Sequence, residues 1–166
     1  MKKIIYTLMA AAMLVLATGC EKLNNKEVHG LVHIDLGSPA LWTTYGVSGF
    51  GTYRIFNRAK GIPANFPYNV NTYTGYGGVV LIVGTDISTG DHAVTAYETA
   101  CPVENRPDVS VDIAANLDAV CPKCGSHYNV LTGSGSPVSG VALTNNMGLT
   151  ILRVFPKNGG YEITSR

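Results

Sequence analysis

Charge is scarce in this chain. Only 14% of its 166 residues are Asp, Glu, Lys or Arg, the formal net charge is +1, and there is no basic run or stripe. A nucleic-acid partner requires such an electrostatic footprint, so none is expected. Helical periodicity is also missing: beyond the first twenty residues no long stretch keeps apolar residues at i, i+3, i+4 and i+7. There is no internal repeat. No nucleophile–base pair, paired-carboxylate motif or phosphate-cradling glycine loop stands out, and Gly77-Gly78 and the "GSGSP" of 133–137 read more economically as turns. Catalysis on an organic substrate is therefore not indicated. Cysteine is limited to four positions, 20, 101, 121 and 124, and these carry most of what the sequence says about chemistry.

The first of them belongs to the N-terminus, "MKKIIYTLMAAAMLVLATGC". Two lysines precede an apolar run from Ile4 to Ala17 and small residues lead into Cys20, the pattern of an export signal too short for an ordinary membrane span. The ending Leu16-Ala-Thr-Gly-Cys20 resembles a bacterial lipobox, which implies that Cys20 is acylated and becomes the mature N-terminus. Two or more acyl chains anchor stably, because each buried methylene contributes about 0.8 kcal/mol. The expected organisation is a signal over 1–19, a lipidated tether over 20–27 ("CEKLNNKE") and one domain over 28–166. Removing 19 of 166 residues leaves 147, enough for one core and too few for two ordinary domains. The expected location is the bacterial envelope, lipid-anchored. Glu21 does not resemble the Asp of an inner-membrane retention signal, so the outer membrane is favoured.

The rest reads as many short strands. "VHIDL" (32–36) alternates apolar and polar residues, "GGVVLIVG" (77–84) is a glycine-bounded apolar run, and "HAVTAYET" (92–99) and "LTILRVF" (149–155) are further strands. "PKNGG" is a hairpin turn leading into "YEITS". One short helix is expected near "SPALWTTYG" (38–46), and residues 57–77 form an insertion whose aromatics Phe66, Tyr68, Tyr73 and Tyr76 pack it onto the sheets. The fold class is all-β, an antiparallel sandwich with a small loop subdomain around residues 99–142.

With Cys20 lipidated, Cys101, Cys121 and Cys124 remain, an odd number of thiols for an oxidising compartment. "AVCPKCGSHYNV" (119–130) contains a C-x-x-C, but a thioredoxin-type pair sits at a helix N-terminus and here a turn and a strand follow. A structural zinc site needs four ligands; one pair plus Cys101 supplies three, and His127 is a candidate fourth.

Taken together, "TACPVENRPD" and "AVCPKCGSHYNVLTGSGSPVSGVAL" resemble the Rieske family, whose signature is C-x-H, then roughly fifteen to seventeen residues, then C-x-x-H-G-S. Seventeen residues separate Val103 from Cys121. The resemblance is clearest over residues 77–166, and the chain looks like Bacteroidetes-type Rieske-like lipoproteins. It implies a Rieske-like β-sandwich and a [2Fe–2S] cluster held by two cysteines on one iron and two histidines on the other. Cys101 and Cys121 carry over as cluster thiolates, Cys124 by position, and Ser126 and Tyr128 as the hydroxyls that hydrogen-bond cluster sulfurs and tune the potential. Pro137 and Gly140 fall where the family has its proline loop. Both histidines are replaced, the first by Val103, which binds no metal, and the second by Cys124; Glu104, His92 and His127 are candidates to make up the set. The implied function is that of an envelope iron–sulfur electron-transfer module with a redox partner. The alternative is a cluster-free, disulfide-stapled binding or accessory module with an envelope protein partner.

Overall fold

A computed structural model describes residues 30–165. The expected signal, the tether and the lipidated Cys20 lie outside those residues. Strand β1 (Val32–Leu36) buries Val32, Ile34 and Leu36 and turns His33 and Asp35 outward, as its period-two pattern predicts. It lies between β11 (Gly160–Thr164) and the two-residue β3 (Tyr73–Thr74), and β10 (Arg153–Lys157) completes a sheet of order β10-β11-β1-β3. The β10–β11 hairpin turns on Asn158 and Gly159, both at positive φ (47° and 91°), the geometry that favours Asn-Gly in a two-residue turn.

A second sheet has the order β2 (Tyr53–Phe56), β4 (Val79–Thr85), β5 (His92–Glu98). Its central strand explains the unbroken apolar run. Val79, Leu81 and Val83 face a core shared with the first sheet, containing Ile34, Leu36, Phe56 and Ile163. Val80 and Ile82 face a second core with Tyr97, Ala119, Tyr128, Val130 and Leu149. A strand covered on both sides has no use for polar alternation. The third sheet, β6 (Asp112–Ile113), β7 (Asp118–Val120), β8 (His127–Asn129) and β9 (Pro137–Ser139), lies over that second core. Among the described residues all strand pairs are antiparallel, and the fold is all-β with two short helices. Among the described residues no helix is long and apolar enough to cross a membrane.

Helix α1 (Pro39–Tyr45) forms where expected, its first turn capped by the Ser38 hydroxyl accepting from the Leu41 amide at 3.2 Å, with Pro39 at the start. Two expectations need correction. "LTILRVF" is not one strand: residues 149–152 run beside β5, bonded through Glu98 N–Thr150 O and Leu152 N–Ala96 O (both 2.9 Å), before the chain crosses to the first sheet at Arg153. Leu149 and Ile151 thus serve the second core, and Leu152 and Val154 the first. In the 57–77 insertion Phe66 packs edge-on against Phe56 (5.2 Å) and Tyr45 (5.1 Å), and Tyr68 packs on Phe66 (4.7 Å). Tyr73 and Tyr76 instead remain exposed.

The insertion is tied through one carbonyl to Ser110, in the segment between Cys101 and β6. Gly77 O accepts from Asn57 Nδ2 and Ser110 Oγ, each at 2.8 Å. The buried Glu98 carboxylate accepts from the Tyr76 and Gly77 amides at the end of β5, three residues before Cys101. The strand that feeds the first cysteine is therefore pinned where it leaves its sheet.

Candidate metal centre

Three cysteines converge at the second core. The Sγ atoms of Cys101, Cys121 and Cys124 lie within 4.8 Å of one another, with Cys101 and Cys121 fully buried and Cys124 partly exposed. Cys101 follows β5 and Ala100, which bridges to Ser110; Cys121 follows β7; Cys124 sits in the turn before β8. Cys101 Sγ is 3.7 Å from Cys124 Sγ. All three are free thiols, so the expected disulfide is not formed in this structure.

The backbone supplies the turn geometry. Asn105 N donates to Cys101 O at 2.8 Å and Gly125 N to Cys121 O at 3.0 Å, each closing a tight knuckle. Gly125 takes φ 66° to do so, a conformation natural to glycine. Cys121 N donates to Ser126 O at 3.0 Å, and Cys101 N to Val109 O at 3.0 Å, so the buried amides of both cysteines are satisfied within the loops.

Both hydroxyls singled out in the sequence reach sulfur. Tyr128 OH lies 3.6 Å from Cys101 Sγ, and the Cys124 thiol donates to Ser126 Oγ at 3.3 Å. Ser126 Oγ also accepts from the Ala142 amide at 3.1 Å, at the start of helix α2 (Val141–Thr144). The Pro137–Gly140 segment leads into that contact. A methyl group on Gly140 would press on Ser126 Cα and Oγ, so its glycine lets the segment lie directly over the second knuckle. The Ala142 contact was not legible in the sequence, because it depends on how far β9 carries the chain back.

The other candidates lie elsewhere. Val103 is half-buried against the second core and offers no donor atom. His92 is at the far end of β5, beside Phe50. His127 points at Asp118, with Nδ1 3.4 Å from Oδ2, and no described histidine or carboxylate joins the three sulfurs. Glu104 is held by Lys123, Oε2 to Nζ at 2.5 Å, with its side chain only 16% exposed. Lys123, between Cys121 and Cys124, was not singled out from the sequence.

The thiols differ electrostatically. Burial pushes the Cys121 thiol up to about 12, and burial also pushes up the Tyr128 phenol, which stays a hydrogen-bond donor. Burial acts to raise Cys124 too, but the Ser126 hydroxyl and amide, with the neighbouring thiols, outweigh it and leave that thiol lowered. Cys124 should thus be the first to ionise and, being the one partly exposed thiol, the first to react. In metal-free, reduced protein near neutral pH, iodoacetamide should modify Cys124 before Cys101 or Cys121. Peptide mass mapping over a time course checks this, and Ser126→Ala should slow the reaction.

Spacing bears on what the sulfurs can hold. Two thiolates on one tetrahedral metal, each about 2.3 Å from it, stand about 3.8 Å apart. The Cys101–Cys124 separation of 3.7 Å has that value. In a Rieske cluster the ligand at position 124 belongs to the second iron, away from the two cysteines on the first. Three mutually close sulfurs, with Val103 in place of a donor, match one shared metal ion better than a two-and-two Rieske set.

A scan against protein-family models and searches of curated proteins and of solved structures found no match to this chain.

Proposed function

We propose that this chain is an exported, lipid-anchored envelope protein of Rieske-like design, whose loop tip binds a single metal ion through Cys101, Cys121 and Cys124. The observation that carries the reading is the enclosure of three thiols within 4.8 Å, two of them fully buried. Soft thiolates in tetrahedral arrangement select zinc or iron. The resemblance of the two cysteine segments to the Rieske signature supports a place among envelope redox proteins, with a redox partner meeting the loop tip. Tyr128 and Ser126 would stabilise thiolate charge and, for a redox-active ion, raise its potential. When bound, the ion supplies either a fixed cross-link between the two knuckles or, if iron, a one-electron site. The chain's own residues hold its ligands in place and exclude water from two of the three sulfurs.

The 3.7 Å gap between Cys101 and Cys124 favours one second reading. In air, metal-free protein loses two electrons and two protons from these thiols to an oxidant such as oxygen, forming a bridge that staples an accessory module. Purification under argon, with metal counting and acid-labile sulfide assay, separates the two. The proposal expects about one metal per chain and no sulfide. Metal-free protein with a Cys101–Cys124 disulfide would favour the staple, and two irons with two sulfides would favour an intact cluster.

A further inference from the structure

The two cysteine loops repeat one another over five residues, a match too short to register as a sequence repeat. Cys101-Pro102-Val103-Glu104-Asn105 and Cys121-Pro122-Lys123-Cys124-Gly125 each begin with a fully buried cysteine followed by proline. Each ends on a residue at positive φ, 49° at Asn105 and 66° at Gly125. In each, the fifth amide donates to the first carbonyl, at 2.8 and 3.0 Å. Superposed by these features, the fourth position of the second loop is Cys124 and that of the first is Glu104.

Paired loops of this kind supply a tetrahedral ion with two ligands each, from the first and fourth positions. Three of those four places are the clustered thiols. The fourth carries a carboxylate, itself a zinc-class ligand, and its side chain is largely buried although charged. Its only ion-pair partner among the described residues is Lys123, in the facing loop between the two cysteines, so Glu104 already reaches across to the second knuckle.

We propose that Glu104 is the fourth ligand, making a Cys₃Glu site for one divalent ion of the zinc or iron(II) class. Lys123 parks the carboxylate while the site is empty. On binding, three sulfur–metal bonds and one oxygen–metal bond form, the thiol protons leave to solvent, and the Glu104–Lys123 contact is exchanged for the metal. The Lys123 ammonium, its side chain already half exposed, is then released to solvent. Val103 needs no replacement in this arrangement, because the third position of a knuckle is not a ligand position. The inference rests on the single-metal reading above and adds its fourth ligand.

Cobalt(II) titration of the detergent-solubilised full chain, reduced under argon and competed with zinc(II), tests it. Wild type should show the intense visible bands of four-coordinate cobalt. Glu104→Ala should weaken affinity at least about tenfold, since even indirect partners of metal ligands typically cost that much, and should weaken the bands as water replaces the carboxylate. Glu104→Cys should keep the site and raise thiolate-to-cobalt absorption by about one third, the ratio of four sulfurs to three. Lys123→Ala should bind as tightly as wild type or more tightly. The inference is overturned if Glu104→Ala binds like wild type with unchanged bands. It is also overturned if Lys123→Ala falls in parallel with Glu104→Ala, since the carboxylate would then act only by ordering the loop. Wild type that takes up neither cobalt nor zinc would overturn the single-metal reading itself.

Discussion

Cys121→Ser should lower zinc affinity about 100-fold or more while leaving the metal-free fold close to wild type. Cys121 is fully buried between β7 and the knuckle, and its sulfur is one of three that must share the ion. Structural zinc sites bind with roughly 10–16 kcal/mol, so losing one of four ligands is worth several kcal/mol, and a 100-fold loss is about 2.7 kcal/mol. Serine is close in shape, and the backbone bonds Cys121 N–Ser126 O and Gly125 N–Cys121 O do not depend on the side chain. The same residue sets a pH dependence. Burial raises the Cys121 thiol, so it is still protonated in the empty site throughout the neutral range and each binding event must expel that proton. Protons therefore compete with metal, and apparent affinity should rise with pH, about tenfold per unit for each thiol still protonated. Cys121→Ser should remove one such step from the slope. Competition titrations against a chromophoric chelator at pH 6, 7 and 8 measure both effects. Unchanged affinity in the serine variant would remove Cys121 from the site.

Gly84→Ala should cost roughly 3 kcal/mol of stability and about 10 °C in melting temperature. Gly84 lies near the end of β4 opposite Ala93, and a methyl group there would collide with the Leu131 carbonyl. Thr85 N donates to that carbonyl at 2.7 Å, and Tyr97 OH donates to Val130 O at 3.2 Å close by. The obstacle is backbone held by hydrogen bonds, so it cannot swing aside as a side-chain tip would. The third sheet docks on the second at this point, and the damage should reach the site: β8, which carries Tyr128 toward Cys101, joins the 130–135 segment directly. Thermal unfolding of the metal-free protein gives the stability change. A shift of less than about 2 °C would show that the segment yields easily.

Much of the architecture was legible because local chemistry and global fold agree. "VHIDL" alternates because one face of β1 meets a core, and "PKNGG" turns because Asn158 and Gly159 accept positive φ. Helix α1 begins at Ser38-Pro39 for the reasons any capped helix does. What the sequence concealed was tertiary. Nothing local in "LTILRVF" says that the chain leaves one sheet at Leu152 for another. Nor does anything in "NTYTG" say that Tyr73–Thr74 adds an edge strand to β1.

The site divides along the same line. Cys101, Cys121, Cys124, Ser126 and Tyr128 were identifiable from spacing and resemblance, and the structure brings all five together. The likeness of the two knuckles was not apparent, because it lies in positive φ at Asn105 and Gly125 and in two backbone bonds. Proline after each first cysteine was its one visible trace. Lys123 and the Ala142 amide were invisible for a simpler reason: each acts on a residue from a different loop or element.

The central claim is that these three cysteines share one metal ion. X-ray absorption at the metal edge of protein purified under argon tests it most directly. One metal with three sulfur neighbours at about 2.3 Å and no second metal nearby is the predicted result. A short metal–metal vector with bridging sulfide, or a metal that sees one sulfur or none, would contradict it.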